Sequence, residues 1–531
     1  MQERSLRQIH LLTALLLFLL TTLLVTPTSL AEDDNTFVVG MEAGYPPFNW
    51  TQQDDSFETA KIQGGNEYAG GYDVEIAKKI ADGLGKELVI FKTTWDGLAP
   101  AVTSGKVDAI IAGMSPTEER KKTIDFTDFY YTSNLVILVK KDGAFADAQN
   151  LEDFKGAKIT AQLNTLHYDM IDQINGVNKQ TAMDDFPAMR VALESGKIDG
   201  YVTEKPEGIT AEQLNPNFKM IDFKDGQGFE TTPEDTALAI GMKKGNPQIE
   251  QVNEILAGIS EAERDNLMDI AISRQPDGDT NEVWVIKIVK ENWQMFLRGA
   301  GVTLLISLVG TIVGTFIGLG IGLFRTIPKA TKSINRILYN IVNALFSIYI
   351  EIFRGTPMIV QAMVIYYGSS QAFGVDLNPL GAALFIVSIN TGAYMTEIVR
   401  GGIFSVDKGQ FEAASAIGMT HWQTMTNVVI PQVFRNILPA MGNEFVINIK
   451  DTSVLNVIAV TELYFQAKTV AGSNFRFFDT FFVVCVIYFV MTFTVTRILR
   501  YLERKMDGTR HYAPYANQLQ TPILEREGEE K

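Results

Sequence analysis

Two regimes of hydrophobic patterning divide the chain. From Thr36 to Ser273 short β-branched runs alternate with amphipathic stretches: Phe37-Val38-Val39, a helical repeat over Val74–Leu84, then Leu88–Phe91 and Ile110-Ile111-Ala112. That alternation predicts α/β layers with mostly parallel strands. Beyond Gly299 the pattern becomes long apolar runs. It predicts five membrane spans, at about 300–324, 338–368, 379–399, 436–461 and 479–499. The second is long and contains Pro357, so a kink or tilt is expected. Between the regimes, residues 276–298 read as a linker and an interfacial helix, with Trp284 and Trp293 at the membrane edge.

The soluble half echoes itself. Ala101-Val-Thr-Ser-Gly-Lys-Val-Asp-Ala109 and Ala192-Leu-Glu-Ser-Gly-Lys-Ile-Asp-Gly200 match at an offset of 91 (192 − 101). Each ends a helix with glycine and enters a strand, so two lobes of similar build are expected. Ligands bind at the carboxyl ends of strands in open α/β sheets. The same offset sets Gly113-Met114-Ser115 in one lobe opposite Thr203-Glu204 in the other, facing one cleft.

Charge orients the membrane half. Arg4 and Arg7, an apolar stretch from Leu11 to Val25, and small residues Ser29 and Ala31 form a secretory signal over residues 1–31. Residues 32–275 are then an extracytoplasmic domain. Arg325, Lys329, Lys332 and Arg336 follow the first span, Arg400 and Lys408 the third, and Arg497, Arg500, Arg504 and Lys505 the fifth. Positive-inside bias puts these in the cytoplasm, against Lys287, Lys290 and Arg298 before the first span. Gly310, Gly314, Gly318 and Gly322 line one face of the first span and allow close approach of another helix, in the same chain or in a second subunit. The membrane domain is assigned to 299–505 and a polar, aperiodic cytoplasmic tail to 506–531.

Composition then narrows the chemistry. The 531-residue chain has a formal charge of −16, which argues against nucleic-acid binding. With one cysteine, Cys485, no intrachain disulfide or cysteine-based metal cluster can form, and the four histidines lack metal-site spacing. No G-x-x-x-x-G-K-[ST] occurs, so the chain has no phosphate-cradling P-loop.

Between two apolar spans lies 412–431, Glu-Ala-Ala-Ser-Ala-Ile-Gly-Met-Thr-His-Trp-Gln-Thr-Met-Thr-Asn-Val-Val-Ile-Pro, too polar to cross a membrane. It predicts a helix, a positive-φ turn at Gly418 and a second helix opened near Pro431. The spacing of Glu412-Ala413-Ala414, Gly418 and Val428-x-Ile430-Pro431 resembles the EAA coupling loop of ABC importer permeases, here 409–431. Phe353-Arg354-Gly355-Thr356-Pro357 and Asn443-Glu444-Phe445 through Lys450-Asp451-Thr452-Ser453 resemble the histidine/arginine/glutamine-type permeases. Gly71-Tyr72-Asp73-Val74-Glu75-Ile76, Gly44-Tyr45-Pro46-Pro47-Phe48 and Ser115-Pro-Thr-Glu-Glu-Arg120 resemble the polar amino-acid binding proteins of the same importers.

The resemblance implies a two-lobed periplasmic-binding-protein-like α/β domain, closing by hinge motion, then an all-α membrane domain of about five helices. Leu135–Lys140 and Ala237–Met242 would cross between the lobes. Arg120 would fork onto the ligand carboxylate. The Gly113 carbonyl and Glu204 would take the ammonium, Ser115 and Thr165 would add hydroxyls, and Tyr45 and Trp95 would sandwich the side chain. Glu42 stands where the family commonly has Asp, and Asn164-Thr165-Leu166 replaces Gly-Thr-Thr, which leaves Gln162 and His167 open as contacts. His167 is expected at the surface.

Glu42 with two aromatics suggests a cationic side chain, lysine or arginine. The alternative turns Glu42 to a neighbouring amide and takes a neutral ligand such as glutamine. Gln361, Asn390, Glu444 and Asp451 would line a membrane pocket, and Glu412, Ala413, Ala414 and Gly418 would meet an ATPase. The implied assembly is a homodimer in the bilayer with two cytoplasmic ATPase subunits, which use ATP and Mg; this chain itself holds no cofactor or metal and no catalytic residue. A ligand-gated channel with a glutamate-receptor-like domain is the reading from another class, and it lacks a T-V-G-Y-G filter here. An enzyme on the two-lobed fold lacks an acid/base pair with a task.

Overall fold

The computed structural model describes residues 35–52, 55, 59–65, 67–224, 226–274, 284–326, 333–375, 377–474 and 476–507. The expected signal segment, the linker before Trp284 and the tail beyond Asp507 lie outside the described residues.

In chain order the strands are β1 (Thr36–Met41), β2 (Gly44–Tyr45), β3 (Asn49–Gln52), β4 (Ala60–Lys61), β5 (Tyr68–Gly70), β6 (Glu87–Lys92), β7 (Ala109–Ile110), β8 (Ile124–Thr132), β9 (Leu135–Lys140), β10 (Lys158–Thr160), β11 (Asn178–Lys179), β12 (Gly200–Glu204), β13 (Phe218–Ile221) and β14 (Ala237–Lys243). Lobe one is the sheet β6-β1-β7-β14-β8, with the small sheet β2-β3-β5-β4 beside it, and lobe two is β11-β10-β12-β9-β13. Each large sheet is parallel on one side (β1 with β6 and β7; β10 with β11 and β12) and antiparallel on the other. A strand arriving from the other lobe has no helical crossover to reverse it, so it enters antiparallel. The chain crosses between β8 and β9 and returns into β14, as the sequence suggested for Leu135–Lys140 and Ala237–Met242.

The internal echo has a structural counterpart. Helices Trp95–Thr103 and Phe186–Glu194 are both nine residues long. Each is followed by a glycine with positive φ, Gly105 at 78° and Gly196 at 71°, before β7 and β12 respectively. Phe37, Val39, Ile76, Leu98 and Ile110 form the core of lobe one, and Ile137, Phe154, Ile159 and Val202 that of lobe two. Burying such runs on both faces is what parallel sheets require.

Among the described residues, four helices are long and apolar enough to cross a membrane: Trp284–Arg325, Arg336–Gly355, Pro379–Phe404 and Phe477–Lys505. The first is one continuous 42-residue helix, so the expected interfacial helix and first span are not separate elements. Its four glycines meet Pro379–Phe404 of the same chain. A Cβ on Gly314 would stand 2.8 Å from Thr391 Cβ, and one on Gly318 2.6 Å from the Met395 carbonyl carbon. The expected span at 338–368 is two helices, Ser333–Gly355 and Met358–Phe373, broken at Thr356-Pro357 because proline cannot continue the ladder. The expected span at 436–461 is a helix, Ile430–Asp451, followed by a 3-10 segment, Thr452–Ile458, which ends at Ala459 with φ 60°. Helix Ile430–Asp451 carries too many polar residues to stand among the four.

Lobe one rests on one end of this bundle. Lys106 lies over the Tyr366 ring at 3.8 Å and donates to the Leu377 carbonyl at 3.4 Å, while the Ser370 hydroxyl donates to Ser104 O at 2.8 Å. The echoed Ser-Gly-Lys turn of lobe one is therefore a docking element as well as a helix stop.

Candidate functional site

The cleft between the lobes is nearly shut. Tyr45, Trp95, Ala112, Gly113, Ser115 and Arg120 of lobe one and Gln162, Thr165, His167, Phe186 and Glu204 of lobe two line a cavity of about 10 Å³, room for about one water. Admitting an amino acid requires the lobes to part or side chains to move. Seven of the eight residues singled out from the sequence meet here. Glu42 does not.

Each wall has a local cause. Gly113 has φ 63°, and a Cβ there would stand 3.0 Å from the Tyr45 ring, so glycine answers both backbone and space. Its N–H donates to the Tyr130 hydroxyl at 3.1 Å, which donates to Asp73 Oδ1 at 2.8 Å, while Asn49 donates to Oδ2 at 2.8 Å. Asp73 thus buttresses the strand end from behind. Burial raises its pKa to about 6, against the lowering by those bonds.

Arg120 reaches across the cleft. It donates to Ser115 O at 2.8 Å in its own lobe and to Asn164 O at 2.7 Å in the other, and its guanidinium lies over Trp95 at 5.1 Å. Asn164 has φ 57°, a left-handed conformation that asparagine tolerates. That explains how it fills a position where glycine was expected. Withdrawal from water lowers the Arg120 pKa to about 10, leaving a cation at neutral pH. The Thr165 hydroxyl donates to Gln162 O at 2.7 Å, so its expected bond to a ligand needs that bond to be exchanged.

Glu204 is the buried anion. Tyr45 donates to its Oε2 from the opposite lobe, and His167 Nε2 stands 3.0 Å from its Oε1. Burial alone would raise its pKa, but the His167 charge and the His167 and Tyr45 hydrogen bonds outweigh that and lower it. His167 is not at the surface: it is 7% exposed, because Glu204 draws it into the cleft. Phe186, which the sequence reading missed, stacks on Tyr45 at 4.2 Å. The echo held the signal, since Trp95 and Phe186 are also 91 residues apart (186 − 95) and both open a helix.

Glu42 is not part of the cavity lining; Gln162, which is, donates from Nε2 to the Glu42 carboxylate at 3.3 Å and to Asp184 O at 3.2 Å. Withdrawal from water, with the Asp185 charge next, raises its pKa to about 7.

In the membrane half, Gln361 and Asn390 bond each other at 2.9 Å and serve the helix break. Gln361 Nε2 donates to the Phe353 and Thr356 carbonyls at 3.1 and 3.0 Å, and Asn390 donates to Phe353 O at 3.2 Å. These amides cap backbone, so the break accounts for them without a substrate. Glu444 is half-buried and Asp451 exposed, outside that pair. The buried polar residue between them is Asn448, which donates to Thr311 and Thr391 at 2.9 and 3.0 Å.

The loop after Phe404 forms the expected knob. Asp407 caps helix Lys408–Ala416 through Gly409 N at 2.6 Å, and Gly418 turns the chain at φ 81°. A Thr420–Gln423 capping box opens helix His421–Thr424, and a π turn, Met425–Val429, leads into Ile430–Asp451. Ala414 is buried, whereas Glu412, Ala413 and Gly418 are exposed beside Phe404 and Ile417, 76% and 78% exposed.

Comparison with known proteins covers both halves. Residues 37–269 match the bacterial extracellular solute-binding proteins, family 3, and residues 336–508 the binding-protein-dependent transport system inner membrane component. The glutamine transport system permease of Escherichia coli (strain K12) is 39% identical over 213 residues, 40% of this chain and 93% of that relative. The arginine transport system permease of Bacillus subtilis (strain 168) is 34% identical over 160 residues, 30% and 73% respectively. An arginine-bound amino-acid ABC transporter substrate-binding protein of Streptococcus pneumoniae, 26% identical, covers 46% of this chain and 96% of its own with a TM-score of 0.39.

Proposed function

This chain belongs to the amino-acid permeases of ABC importers, with a family 3 solute-binding domain fused ahead of the permease, and from that membership we propose that it captures a neutral polar amino acid of the glutamine class and passes it through its own membrane helices. Arg120 takes the α-carboxylate and Glu204, freed from Tyr45, takes the α-ammonium. The ligand side chain lies among Tyr45, Trp95 and Phe186.

The observation that carries the choice of ligand is the position of Glu42. The charged groups lining the cavity are Arg120 and Glu204, with His167 against Glu204. Those match the two charges of a zwitterion, and among the described residues that line the cavity there is no further anion for a cationic side chain, whose charge would be buried unpaired at a cost of several kcal/mol. The Escherichia coli relative is a glutamine permease, which points the same way. The second reading, lysine or arginine, is favoured by Glu42 bonding Gln162 of the cavity lining, and by the arginine permease among the relatives. It requires Glu42 to leave Gln162.

Transport is powered elsewhere. Each chain presents one knob, so two copies with two ATPase subunits, which use ATP and Mg, form the importer. The exposed faces of Leu345, Ile348 and Ile352 give the membrane helices apolar surface for lipid or for the second copy. Membership in the permease family displaces the ligand-gated channel.

A melting-temperature panel of amino acids on the purified full chain tests the ligand. A ligand at ~100-fold its Kd stabilises the folded state by about 2.7 kcal/mol. Glutamine should raise the melting temperature. A rise with arginine or lysine and none with glutamine refutes the neutral reading, and no rise with any amino acid removes the cleft as a binding site.

A further inference from the structure

Helix Leu463–Asn474 joins the permease to the binding domain. Leu463, Ala467 and Val470 pack into the bundle with Phe296, Ala300 and Val483. Its start is fixed by the buried Glu462, which accepts the Tyr464 and Phe465 N–H groups at 2.9 and 2.7 Å and hydroxyls from Thr303 and Tyr488 at 3.5 and 3.1 Å. Thr303 and Tyr488 belong to spanning helices Trp284–Arg325 and Phe477–Asp507, so the start of this short helix is tied to both.

Its outer face touches both lobes. Lys92 of lobe one donates to the Thr469 hydroxyl at 2.5 Å and to Thr51 at 2.8 Å. One residue earlier, Lys468 lies 2.7 Å from the Asp185 carboxylate of lobe two. A Cβ on Gly472 would stand 3.4 Å from Gly44 Cα and 4.0 Å from Pro187. Gly44 precedes Tyr45, and Asp185 and Pro187 flank Phe186, so the helix holds the chain neighbours of the two rings that stack across the cleft.

We propose that helix Leu463–Asn474 is a clamp through which the permease reads closure of the binding cleft. Its Lys468 and Thr469 contacts lie on different lobes, and an element pinned at Glu462 keeps both only while the lobes are together. Parting the lobes breaks one. Coupling of this kind is reciprocal: a membrane arrangement that moves the clamp also changes the cleft's hold on its ligand. The inference rests on the importer reading, and it goes beyond that reading by naming the element that links capture to the membrane helices.

Two measurements on the full chain in lipid nanodiscs test it. In a Cys485→Ala background, Gly44→Cys with Gly472→Cys should form an intrachain disulfide on oxidation; failure to do so overturns the contact itself. Glutamine and arginine then serve as binding probes. Lys468→Gln, and separately Asp185→Asn, which keeps an oxygen for the Ala188 N–H cap at 3.0 Å, should weaken the bound probe about fivefold or more. The double variant should be no weaker than either single. Unchanged affinity in both singles, or losses that multiply, reduces the helix to a passive anchor and overturns the clamp. If neither probe binds the wild-type chain, the ligand reading fails, and the clamp is then judged by whether Tyr45→Phe, which removes the inter-lobe bond to Glu204, lowers the disulfide yield; an unchanged yield overturns it.

Discussion

Tyr45 in lobe one donates its phenolic proton to Glu204 in lobe two, so the two sides of the cleft are joined by the group that would take the ligand's ammonium. A hydrogen bond to a charged partner contributes about 1.5–3 kcal/mol. Tyr45→Phe keeps the stack on Phe186 and removes that link. It should shift the unliganded lobes toward separation in a spin-label distance measurement. An unchanged distance distribution would show that the bond does not hold the cleft.

Glu204→Gln removes the cavity's anion and leaves its shape. Losing one partner of a buried charge pair costs about 2–5 kcal/mol of binding, so amino-acid affinity should fall at least about tenfold in equilibrium binding. Affinity equal to wild type would take the ammonium away from Glu204.

Glu42→Gln separates the two ligand readings and carries a pH signature. Its carboxyl, raised from 4.5 to about 7 in the folded chain, contributes stability that is full below about pH 4.5 and lost as pH rises through about 7. Glu42→Gln does not titrate, so its melting temperature should gain on wild type across that window. Glu204, with a lowered pKa, acts oppositely, its contribution being lost as pH falls below the ordinary carboxylate range. Glutamine affinity should survive Glu42→Gln within about threefold, a margin below the ~1.4 kcal/mol of a tenfold change. Loss of arginine binding in the same variant would favour the cationic reading instead.

Gly318 and Gly320 lie on one helix in opposite surroundings. A Cβ on Gly318 would meet the Met395–Thr396 backbone at 2.6–2.8 Å, whereas nothing lies within 4 Å of Gly320. Gly318→Val should destabilise the chain by about 1–3 kcal/mol through overpacking, and Gly320→Val should be near neutral. Equal half-lives at elevated temperature in detergent would refute the close helix contact.

Glu412→Arg reverses the exposed charge of the knob far from the cleft. It should leave amino-acid binding intact and abolish uptake in proteoliposomes containing the ATPase. Normal uptake would exclude the knob as the docking point.

The sequence by itself determined the two regimes, the doubled lobe, the knob and most of the cleft. These depend on local periodicity, on glycines at turns and on a repeat that the chain writes twice. The same repeat, applied to Trp95, also marks Phe186. Tertiary structure decided what depends on which side chains meet at long separation. Glu42 turned to Gln162, 120 residues on, because a partly buried carboxylate needs a donor and the packing of the lobes supplies that amide. His167 went inward because Glu204 was there to pair with it. The interfacial helix fused with the first span because nothing around Arg298 interrupts helical hydrogen bonding, while Pro357 divided the second. The meeting of Lys468 with Asp185 and of Thr469 with Lys92 joins segments hundreds of residues apart. No periodicity records such a contact, since it exists only when two folded bodies are packed against each other.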